Sequence, residues 1–236
     1  MSLPFHTALA RAQAPVIAEI KPNSPKVGAL LANRSVAAVA QEYAEAGAPC
    51  LSVTTGAWHG GNLAMIAQMA QTGLPVLRKD FITSRRHLDA SIEAGASAVL
   101  LTCTLLRRAD ILRLANAALD LGLTPFVEAA TAAELDGLEL PDGAILAINN
   151  RDIRTKETDD GGIAQSEALY GQARSDHAGL LVSASGLTAP GDVMRAIATG
   201  FDGVLVGTAL LSGSDPVGVT TRAFLKAATL HSVAPA

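Results

Sequence analysis

The sequence is poor in several features that mark large classes of protein. Of its 236 residues, 3% are aromatic, 17% are charged and only two are cysteine. Cys50 and Cys103 stand alone in apolar segments, without CxxC or Cys/His spacing, so we expect buried free thiols and no metal site. No run of about 18 apolar residues occurs, and the first residues lack the basic start and apolar stretch of a secretion signal. We therefore expect a cytoplasmic protein with no membrane partner.

The charges nearly balance, with a formal net charge of −4 and an isoelectric point near 5.7. This balance offers no general attraction to nucleic acid or anionic lipid, so an anionic ligand must be bound locally. Apolar residues make up 49% of the chain, which is too many for a disordered protein. The composition suits a large core, in a monomer or a simple homo-oligomer.

Short apolar runs bounded by Gly, Pro or polar residues recur along the chain and predict strands. There are eight of them: VIAEI (16–20), CLSVTT (50–55), PVLRKDF (75–81), AVLLTCT (98–104), PFVEAA (125–130), AILAINN (144–150), LLVSASG (180–186) and GVLVGTAL (203–210). Helical patterns lie between them. SVAAVAQEYAEAGA (35–48) has Ser35 placed to cap a helix and Gly47 to end it, and RADILRLANAALDLG (108–122) ends on Gly122.

Eight strand–helix units with nearly continuous apolar strands predict parallel pairing with helices outside, closed into a (β/α)8 TIM barrel. We expect one domain over residues 1–236, because no segment is long enough to be a linker. An open doubly wound sheet is the second choice, although VIAEIKPNSP lacks the GxGxxG turn that usually follows its first strand. The polar stretch RDIRTKETDDGG (151–162) is expected to be the loop after strand six.

Reactive side chains stand where the predicted strands end, which is where such barrels place their chemistry. They are Glu19 and Lys21 on strand one, Lys79 on strand three, Glu128 on strand five, and Asn149 with Arg151 on strand six. Because side chains alternate along a strand, Glu19 and Lys21 point to the same side, which can face the barrel axis. Burying such charges costs desolvation unless they pair, and sites of this kind hold proton-transfer groups.

The last two predicted strands carry a different pattern. SASG (183–186) and VGTAL (206–210) place small residues and glycines where these strands turn into their helices. Backbone N–H groups there are open to an anion, so we expect a phosphate site. The simpler alternative is that the glycines serve only tight turns.

These motifs together resemble the indole-3-glycerol-phosphate synthase family, over a stretch from about Phe5 to Leu210. The matching segments are VIAEIKPNSPKVG, PVLRKDFI, FVEA, INNRD and LVGTAL. Members of the family cyclise and decarboxylate 1-(2-carboxyphenylamino)-1-deoxyribulose 5-phosphate to indole-3-glycerol phosphate in tryptophan biosynthesis. The resemblance therefore implies a carboxy-lyase that acts on a phosphorylated small molecule, without a cofactor.

The resemblance also implies a role for each matching residue. Lys79 corresponds to the general acid of ring closure, and Lys21 to a lysine that contacts the substrate carboxylate and assists loss of the hydroxyl. Glu19 corresponds to a base in dehydration, while Glu128 and Asn149 correspond to residues that hold the substrate's amine and hydroxyl groups. The implied substrate-binding residues are Ser24, His59, Phe81, Leu100, Arg151 and Ser185, and the implied phosphate-binding residues are Ser24, Gly186, Gly207 and Thr208.

Three departures from the family pattern concern the ring pocket and the entrance. The family's Glu-Ser-Gly at strand seven is Ala184-Ser185-Gly186 here, so one carboxylate is absent. TTGAWHGG (54–61) replaces a Thr-Glu-Pro segment, which puts Gly56 at the glutamate and Trp58 or His59 where an aromatic residue forms the ring pocket. Fewer residues precede Glu19 than in the family, which implies a shortened N-terminal extension.

These departures leave two alternatives to the synthase reaction. The first is a diverged synthase-like cyclase that acts on a modified aryl amine in secondary metabolism. The second is a barrel that binds a phosphorylated ligand without catalysis. The retained Lys21, Lys79 and Glu128 favour the synthase.

Overall fold

A computed structural model describes residues 2–151 and 162–229, and these residues form a closed barrel of eight parallel strands. We number the barrel strands β1 to β8 in chain order: Val16–Ile20, Cys50–Thr54, Val76–Lys79, Ala98–Thr102, Thr124–Ala129, Ile145–Asn149, Leu181–Ala184 and Gly203–Val206. β1 pairs with β2 on one side and with β8 on the other, which closes the ring. The predicted single-domain (β/α)8 fold is confirmed.

Helices alternate with the strands and surround the barrel. We number them α1 to α10: Pro4–Ala10, Val36–Ala46, Ala64–Ala70, Arg85–Glu93, Arg108–Asp120, Ala132–Leu135, Ala164–Asp176, Pro190–Thr199, Thr208–Leu211 and Val217–Thr229. α2 begins where the sequence predicts, because the Ser35 hydroxyl accepts a hydrogen bond from the Ala38 N–H at 3.2 Å. It ends at Gly47, whose φ of 99° is the left-handed value that glycine tolerates.

Seven of the eight predicted strands run past the observed carboxyl ends, six of them by one or two residues. The strand predicted over 203–210 stops at Val206, and Thr208–Leu211 form the short helix α9. The strand predicted over 75–81 stops at Lys79, so Asp80 and Phe81 lie in the loop that follows. Short apolar runs do not distinguish strand from helix by periodicity alone, which accounts for the first error.

The strands separate two apolar layers, because consecutive side chains point to opposite faces. The outer layer packs between strands and helices and includes Val16, Val53 and Val127. The inner layer fills the barrel with Ile17, Leu77 and Phe126, among others. This is the filled interior expected of a barrel of this size.

Helix α1 closes the amino-terminal end of the barrel. Phe5 and Leu9 are fully or almost fully buried and belong to the inner apolar layer. The Phe5 carbonyl accepts a hydrogen bond from the Cys50 thiol at 3.6 Å, and Thr124 Oγ1 accepts one from the His6 N–H at 3.3 Å. We call this end the floor and the opposite, carboxyl-terminal end the mouth. Whether the segment before β1 is a shortened extension stays a prediction.

Both cysteines are free thiols, Cys50 buried at the floor and Cys103 partly buried after β4. No helix in the described ranges is both long enough and apolar enough for a membrane span. The predicted loop over 151–162 lies outside the described residues, except for Arg151 and Gly162.

Candidate active site

The inner face of the barrel changes from apolar to charged as the strands approach the mouth. Glu19 follows Ile17 at a spacing of two, Lys79 follows Leu77, and Glu128 follows Phe126. Alternation therefore aims these side chains at the axis, one layer above the apolar filling. All three are at least nine-tenths buried, at 3%, 8% and 1% exposed surface.

Lys79 lies between two carboxylates at the centre of this layer. Its Nζ is 3.9 Å from Glu19 Oε2 and 3.9 Å from Glu128 Oε2. Ser52 donates a hydrogen bond to Glu19 Oε2 at 3.3 Å, and Asn149 Nδ2 donates to Glu128 Oε1 at 2.8 Å. The ammonium is therefore held by strands other than its own, which restrains its position.

Glycine in β8's turn allows the Glu19 carboxylate to sit where it does. A Cβ on Gly207 would lie 2.7 Å from Glu19 Oε1 and 3.2 Å from Glu19 Cβ. No side chain larger than glycine fits here unless Glu19 moves. The VGTAL segment is thus constrained by the charge cluster, and not only by its turn.

A small cavity of about 230 Å³ opens at the mouth beside β1, β7 and β8. Lys21 and Arg151 line it together with Ser185, Gly186, Gly207 and Thr208, and so do Glu19 and the exposed Lys26. Lys21 is 4% exposed, so its ammonium is shielded from bulk water. Cationic side chains facing small residues and open backbone are the features of an anion site.

A larger cavity of about 500 Å³ lies on the other side of Glu19, beside β2, β3, β4 and β5. Its apolar walls come from Trp58, Phe81, Leu100 and Pro25, and its polar groups from Lys79, Glu128, Thr54, Asp80, His59, Asn23 and Ser24. A mainly apolar cavity with a few convergent charged groups suits a flat organic ring.

Lys21 and Lys79 line different cavities, Lys21 the small one and Lys79 the large one. Glu19 joins them, because it lines the small cavity while its Oε2 contacts Lys79 Nζ in the large one. A ligand that reaches from one cavity to the other therefore passes over Glu19.

The residues on either side of Lys79 fix the end of β3. Arg78 donates to the His87 carbonyl at 3.0 Å and pairs with Asp80 Oδ2 at 3.1 Å. Asp80 in turn accepts hydrogen bonds from the Thr55 hydroxyl at 2.9 Å and the Phe81 N–H at 2.8 Å. This network fixes the position of Lys79 along the barrel axis and the position of the Phe81 ring.

Asn150 fixes the end of β7 and the turn after it, which borders the small cavity. Its Nδ2 donates to Ser183 Oγ at 3.0 Å, to the Ala184 carbonyl at 3.2 Å and to the Ser185 carbonyl at 3.0 Å. Its Oδ1 accepts from the Ser166 N–H at 2.9 Å. Ser185 has a φ of 63°, an unfavourable conformation for a residue with a side chain, and these bonds hold it there.

Burial and the nearby carboxylates change the proton affinity of groups around the cluster. Burial first, and then the Glu19 charge, raise the pKa of Tyr43 well above its usual value. The Tyr43 hydroxyl donates to the Glu19 carbonyl at 3.2 Å and so supports β1 from outside. Burial, followed by Glu134 and Glu128, raises the pKa of Cys103 to about 12, so this thiol stays protonated at neutral pH.

Two predicted binding residues have positions that the motifs do not reveal. Ser24, predicted for the phosphate, lines the larger cavity, and its hydroxyl accepts from the Lys26 and Val27 N–H groups at 3.4 Å. His59 is 8% exposed, and its Nδ1 lies 3.2 Å from the Asn23 carbonyl. Ser24 therefore lies apart from Gly186, Gly207 and Thr208, the other predicted phosphate-binding residues, which line the small cavity. Phosphate binding by Ser24 stays a prediction.

Several lining residues were missed by sequence reasoning. In the larger cavity they are Asn23, Pro25 and Thr54, and in the small cavity Lys26, Val27, Leu187, Thr188, Leu205, Ala209 and Ser212. Most lie in the segments that follow β1, β7 and β8, so their place in the chain was an available signal. Asn150 had the clearest one, because it lies inside the INNRD motif next to Asn149.

The described ranges contain no group of three or more His, Cys, Asp or Glu side chains arranged to hold a metal ion. The charged residues at the mouth come instead as carboxylate–lysine contacts, which suit proton transfer and anion binding.

A family model described as indole-3-glycerol phosphate synthase matches residues 2–223. A protein named indole-3-glycerol phosphate synthase from Pyrococcus furiosus is 37% identical over 204 residues, covering 86% of this chain and 88% of that protein. Indole-3-glycerol phosphate synthase 2 from Ralstonia nicotianae is 34% identical over 198 residues, covering 83% of this chain and 72% of that protein.

Solved structures with the same fold are more distant in sequence. The 3-hexulose-6-phosphate synthase from Salmonella typhimurium gives a TM-score of 0.69 at 15% identity, covering 92% of this chain and 99% of that chain. A ligand-free tryptophan synthase from M. tuberculosis gives 0.69 at 14% identity, covering 95% and 96%. At such identities the likeness concerns the barrel fold alone.

Proposed function

The chain belongs to the indole-3-glycerol phosphate synthase family, and from this premise we propose which residues at the mouth carry out each step of that reaction. The protein is a carboxy-lyase of tryptophan biosynthesis that acts on a phosphorylated small molecule. The individual roles below rest on the two cavities and the charge cluster between them.

We assign the phosphate end of the substrate to the small cavity. Lys21 supplies a buried positive charge there, and Ser185, Gly186, Gly207 and Thr208 supply small residues and backbone. The protein's net charge of −4 does not attract a phosphate from afar, so this local arrangement carries the binding. The aryl end is then directed toward the larger cavity, between Phe81 and Leu100.

With the substrate placed in this way, its reacting carbons lie over Glu19 and next to Lys79. Lys79 donates a proton to the sugar carbonyl oxygen as the ring carbon attacks, and loss of carbon dioxide restores the aromatic ring. Lys21 assists departure of the hydroxyl in the following dehydration, with Glu19 as the base. Glu128 and Asn149, joined by their 2.8 Å hydrogen bond, orient the substrate amine and hydroxyl. A positioned acid or base contributes on the order of 10² to 10⁴ in rate.

The observation that carries this proposal is the position of Lys79, buried between two carboxylates and open to a cavity large enough for a ring. The test is to incubate the purified protein with 1-(2-carboxyphenylamino)-1-deoxyribulose 5-phosphate and identify the product by mass and indole fluorescence. We expect indole-3-glycerol phosphate. Stabilisation by the substrate without turnover would support a non-catalytic barrel instead.

A modified aryl substrate is the second candidate, and the position of Ala184 favours it. Ala184 is fully buried in the inner layer, paired in register with Asn149 and Leu205, so no carboxylate reaches the mouth from β7. Faster turnover of a ring-substituted substrate than of the unsubstituted one would support this candidate. Equal or slower turnover would reject it.

A further inference from the structure

Thr54 is the last inward-facing residue of β2, at the end of the strand nearest the mouth. Cys50 belongs to the inner apolar layer, so alternation places Ser52 and Thr54 on the inner face as well. Thr54 is 2% exposed and lines the larger cavity. It pairs in register with Lys79 on β3, so it stands beside the central lysine of the charge cluster.

The hydroxyl of Thr54 is buried without a hydrogen bond. Its Oγ1 has no hydrogen-bond partner among the described residues. Nearby hydroxyls are paired: Ser52 donates to Glu19 Oε2 at 3.3 Å, and Thr55 donates to Asp80 Oδ2 at 2.9 Å. A hydroxyl that loses water on folding and gains no partner destabilises the folded protein, and such groups are rare in native structures. Stability therefore does not account for a threonine at this position.

Thr102 on β4 provides a comparison. It is 3% exposed, and its Oγ1 also lacks a hydrogen-bond partner in the part of the chain that the structure describes. It pairs in register with Glu128, as Thr54 pairs with Lys79, so both threonines stand beside the charge cluster. Thr102 lines neither of the two cavities, whereas Thr54 lines the larger one. Of the two hydroxyls, that of Thr54 is the one placed to meet a ligand.

Rotation of the side chain is enough to bring this hydroxyl to a ligand. Oγ1 and the methyl group of threonine are both attached to Cβ, and they occupy staggered positions about χ1. A turn of about 120° moves Oγ1 to a neighbouring staggered position while the backbone of β2 stays in place. The turn breaks no hydrogen bond to a described residue, so a new hydrogen bond to a ligand favours it.

The proposed function indicates which part of the substrate this hydroxyl meets. Lys79 acts on the sugar carbonyl, Glu128 and Asn149 orient the amine and hydroxyl, and the family resemblance assigns the ring carboxylate to Lys21. The aryl ring itself lies against the apolar walls of the larger cavity. An unsubstituted ring presents only C–H groups and leaves the Thr54 hydroxyl unpaired. A ring that carries a hydroxyl or amino group offers it a partner.

We propose that the Thr54 hydroxyl determines specificity by hydrogen-bonding a hydroxyl or amino substituent on the aryl ring of the substrate. The inference rests on the proposed function, and it names the substituent for the modified aryl substrate given there as the second candidate. One neutral hydrogen bond changes affinity by about threefold to tenfold. A ring without the group also leaves a buried hydroxyl unpaired, which adds to the discrimination. We therefore expect a preference of about tenfold over a methylated ring of similar size.

The kinetic test uses analogues of 1-(2-carboxyphenylamino)-1-deoxyribulose 5-phosphate that carry a hydroxyl, amino or methyl group at each free ring position. At one position the parent protein should show a kcat/KM about tenfold higher for hydroxyl or amino than for methyl. Thr54→Val replaces the hydroxyl with a methyl group of similar size and should abolish this preference, whereas Thr54→Ser should keep it.

Two kinetic outcomes would overturn the proposal. The first is a parent protein that shows no preference at any ring position. The second is a loss in Thr54→Val that hydroxylated and methylated analogues share equally, since this would place the hydroxyl on the carboxylate that both of them carry.

Thermal unfolding tests whether the hydroxyl is unpaired in the free protein. Thr54→Val and Thr102→Val should each raise Tm by about 2 °C or more, because valine fills nearly the same space without burying an unpaired hydroxyl. Thr102→Val is also the matched control for specificity and should keep the ring preference of the parent. An unchanged or lower Tm in Thr54→Val would show that the hydroxyl already has a partner, and this would overturn the proposal. Loss of the preference in Thr102→Val would do the same.

Binding of the ring alone distinguishes failure of this inference from failure of the proposed function. Hydroxyanthranilates and methylanthranilates carry the ring and carboxylate without the sugar phosphate, and calorimetry measures their affinities. Tighter binding of a hydroxyanthranilate that depends on Thr54, in a protein that turns over no analogue, would support the inference and reject the function. Turnover of the unsubstituted substrate with no ring preference in the parent would reject the inference and leave the function intact.

Discussion

At the floor of the barrel the inward side chains are apolar, and Phe5 and Leu9 of α1 close the end against water. At the mouth the same strands turn Glu19, Lys79 and Glu128 toward the axis. The strands and their alternation are the same at both ends, so only the residue type changes. The floor stabilises the fold by burying apolar area, whereas burying charge at the mouth costs free energy that only partners offset.

This contrast predicts that stability and activity respond to different ends. Changes at the mouth should reduce catalysis in a protein that still folds, and changes at the floor should reduce stability while the folded molecules remain active. Three experiments test this difference between the two ends, and they follow in order of decreasing expected effect.

The largest expected effect is that of Lys79→Arg at the mouth. Arginine keeps the positive charge near Glu19 and Glu128, so the free energy of unfolding should stay within about 1 kcal/mol of the parent value. Because a guanidinium does not release its proton at neutral pH, kcat should fall by about 10² to 10⁴. Steady-state kinetics and urea unfolding measure the two quantities. Retained turnover would remove Lys79 from the proposed role.

At the floor, Phe5→Ala leaves a cavity beneath the inner layer. Phe5 is fully buried, so we expect the free energy of unfolding to fall by about 3–5 kcal/mol. The kcat of the folded fraction should be unchanged, since no mouth residue loses a contact. Val219→Ala on α10, where the side chain is 47% exposed, is the matched control and should change stability by about 0.5 kcal/mol or less. A lower kcat in folded Phe5→Ala would break the contrast.

The smallest of the three effects is expected for Asn150→Asp, which lies at the mouth directly after β6. A carboxylate oxygen in place of Nδ2 would face the Ala184 and Ser185 carbonyls and lose three donated hydrogen bonds. We expect a loss of about 1–3 kcal/mol in affinity at the small cavity, seen as a higher KM and weaker inorganic phosphate binding, with kcat nearly unchanged. Asn149→Asp is the comparison, since it disturbs the hydrogen bond to Glu128 and should lower kcat. A lower kcat in Asn150→Asp together with a higher KM in Asn149→Asp would exchange the roles assigned to these two residues.

Much of this architecture could be predicted from the sequence because it depends on local regularities. Ser35 and Gly47 mark the ends of α2 through capping and left-handed geometry. Period-two alternation predicts that Glu19 faces the axis, and it does. The end of β8 could not be predicted in the same way, since the apolar run continues through Gly207 into α9.

Close approaches between distant segments could not be predicted. Gly207 looks like an ordinary turn glycine, yet it faces the side chain of Glu19, which a Cβ on Gly207 would displace. Asn150 looks like a neighbour of the functional Asn149, while its amide joins β6 to the turn after β7. Such relations depend on three-dimensional distances that no spacing along the chain encodes.

Periodicity and motifs along the chain are enough to give the number of strand–helix units, the face on which each reactive residue stands and the family to which the chain belongs. The placement of Lys21 and Lys79 in separate cavities, with Glu19 between them, is known only from the folded barrel. Closing the barrel sets the distances between strands, and those distances decide which charges meet.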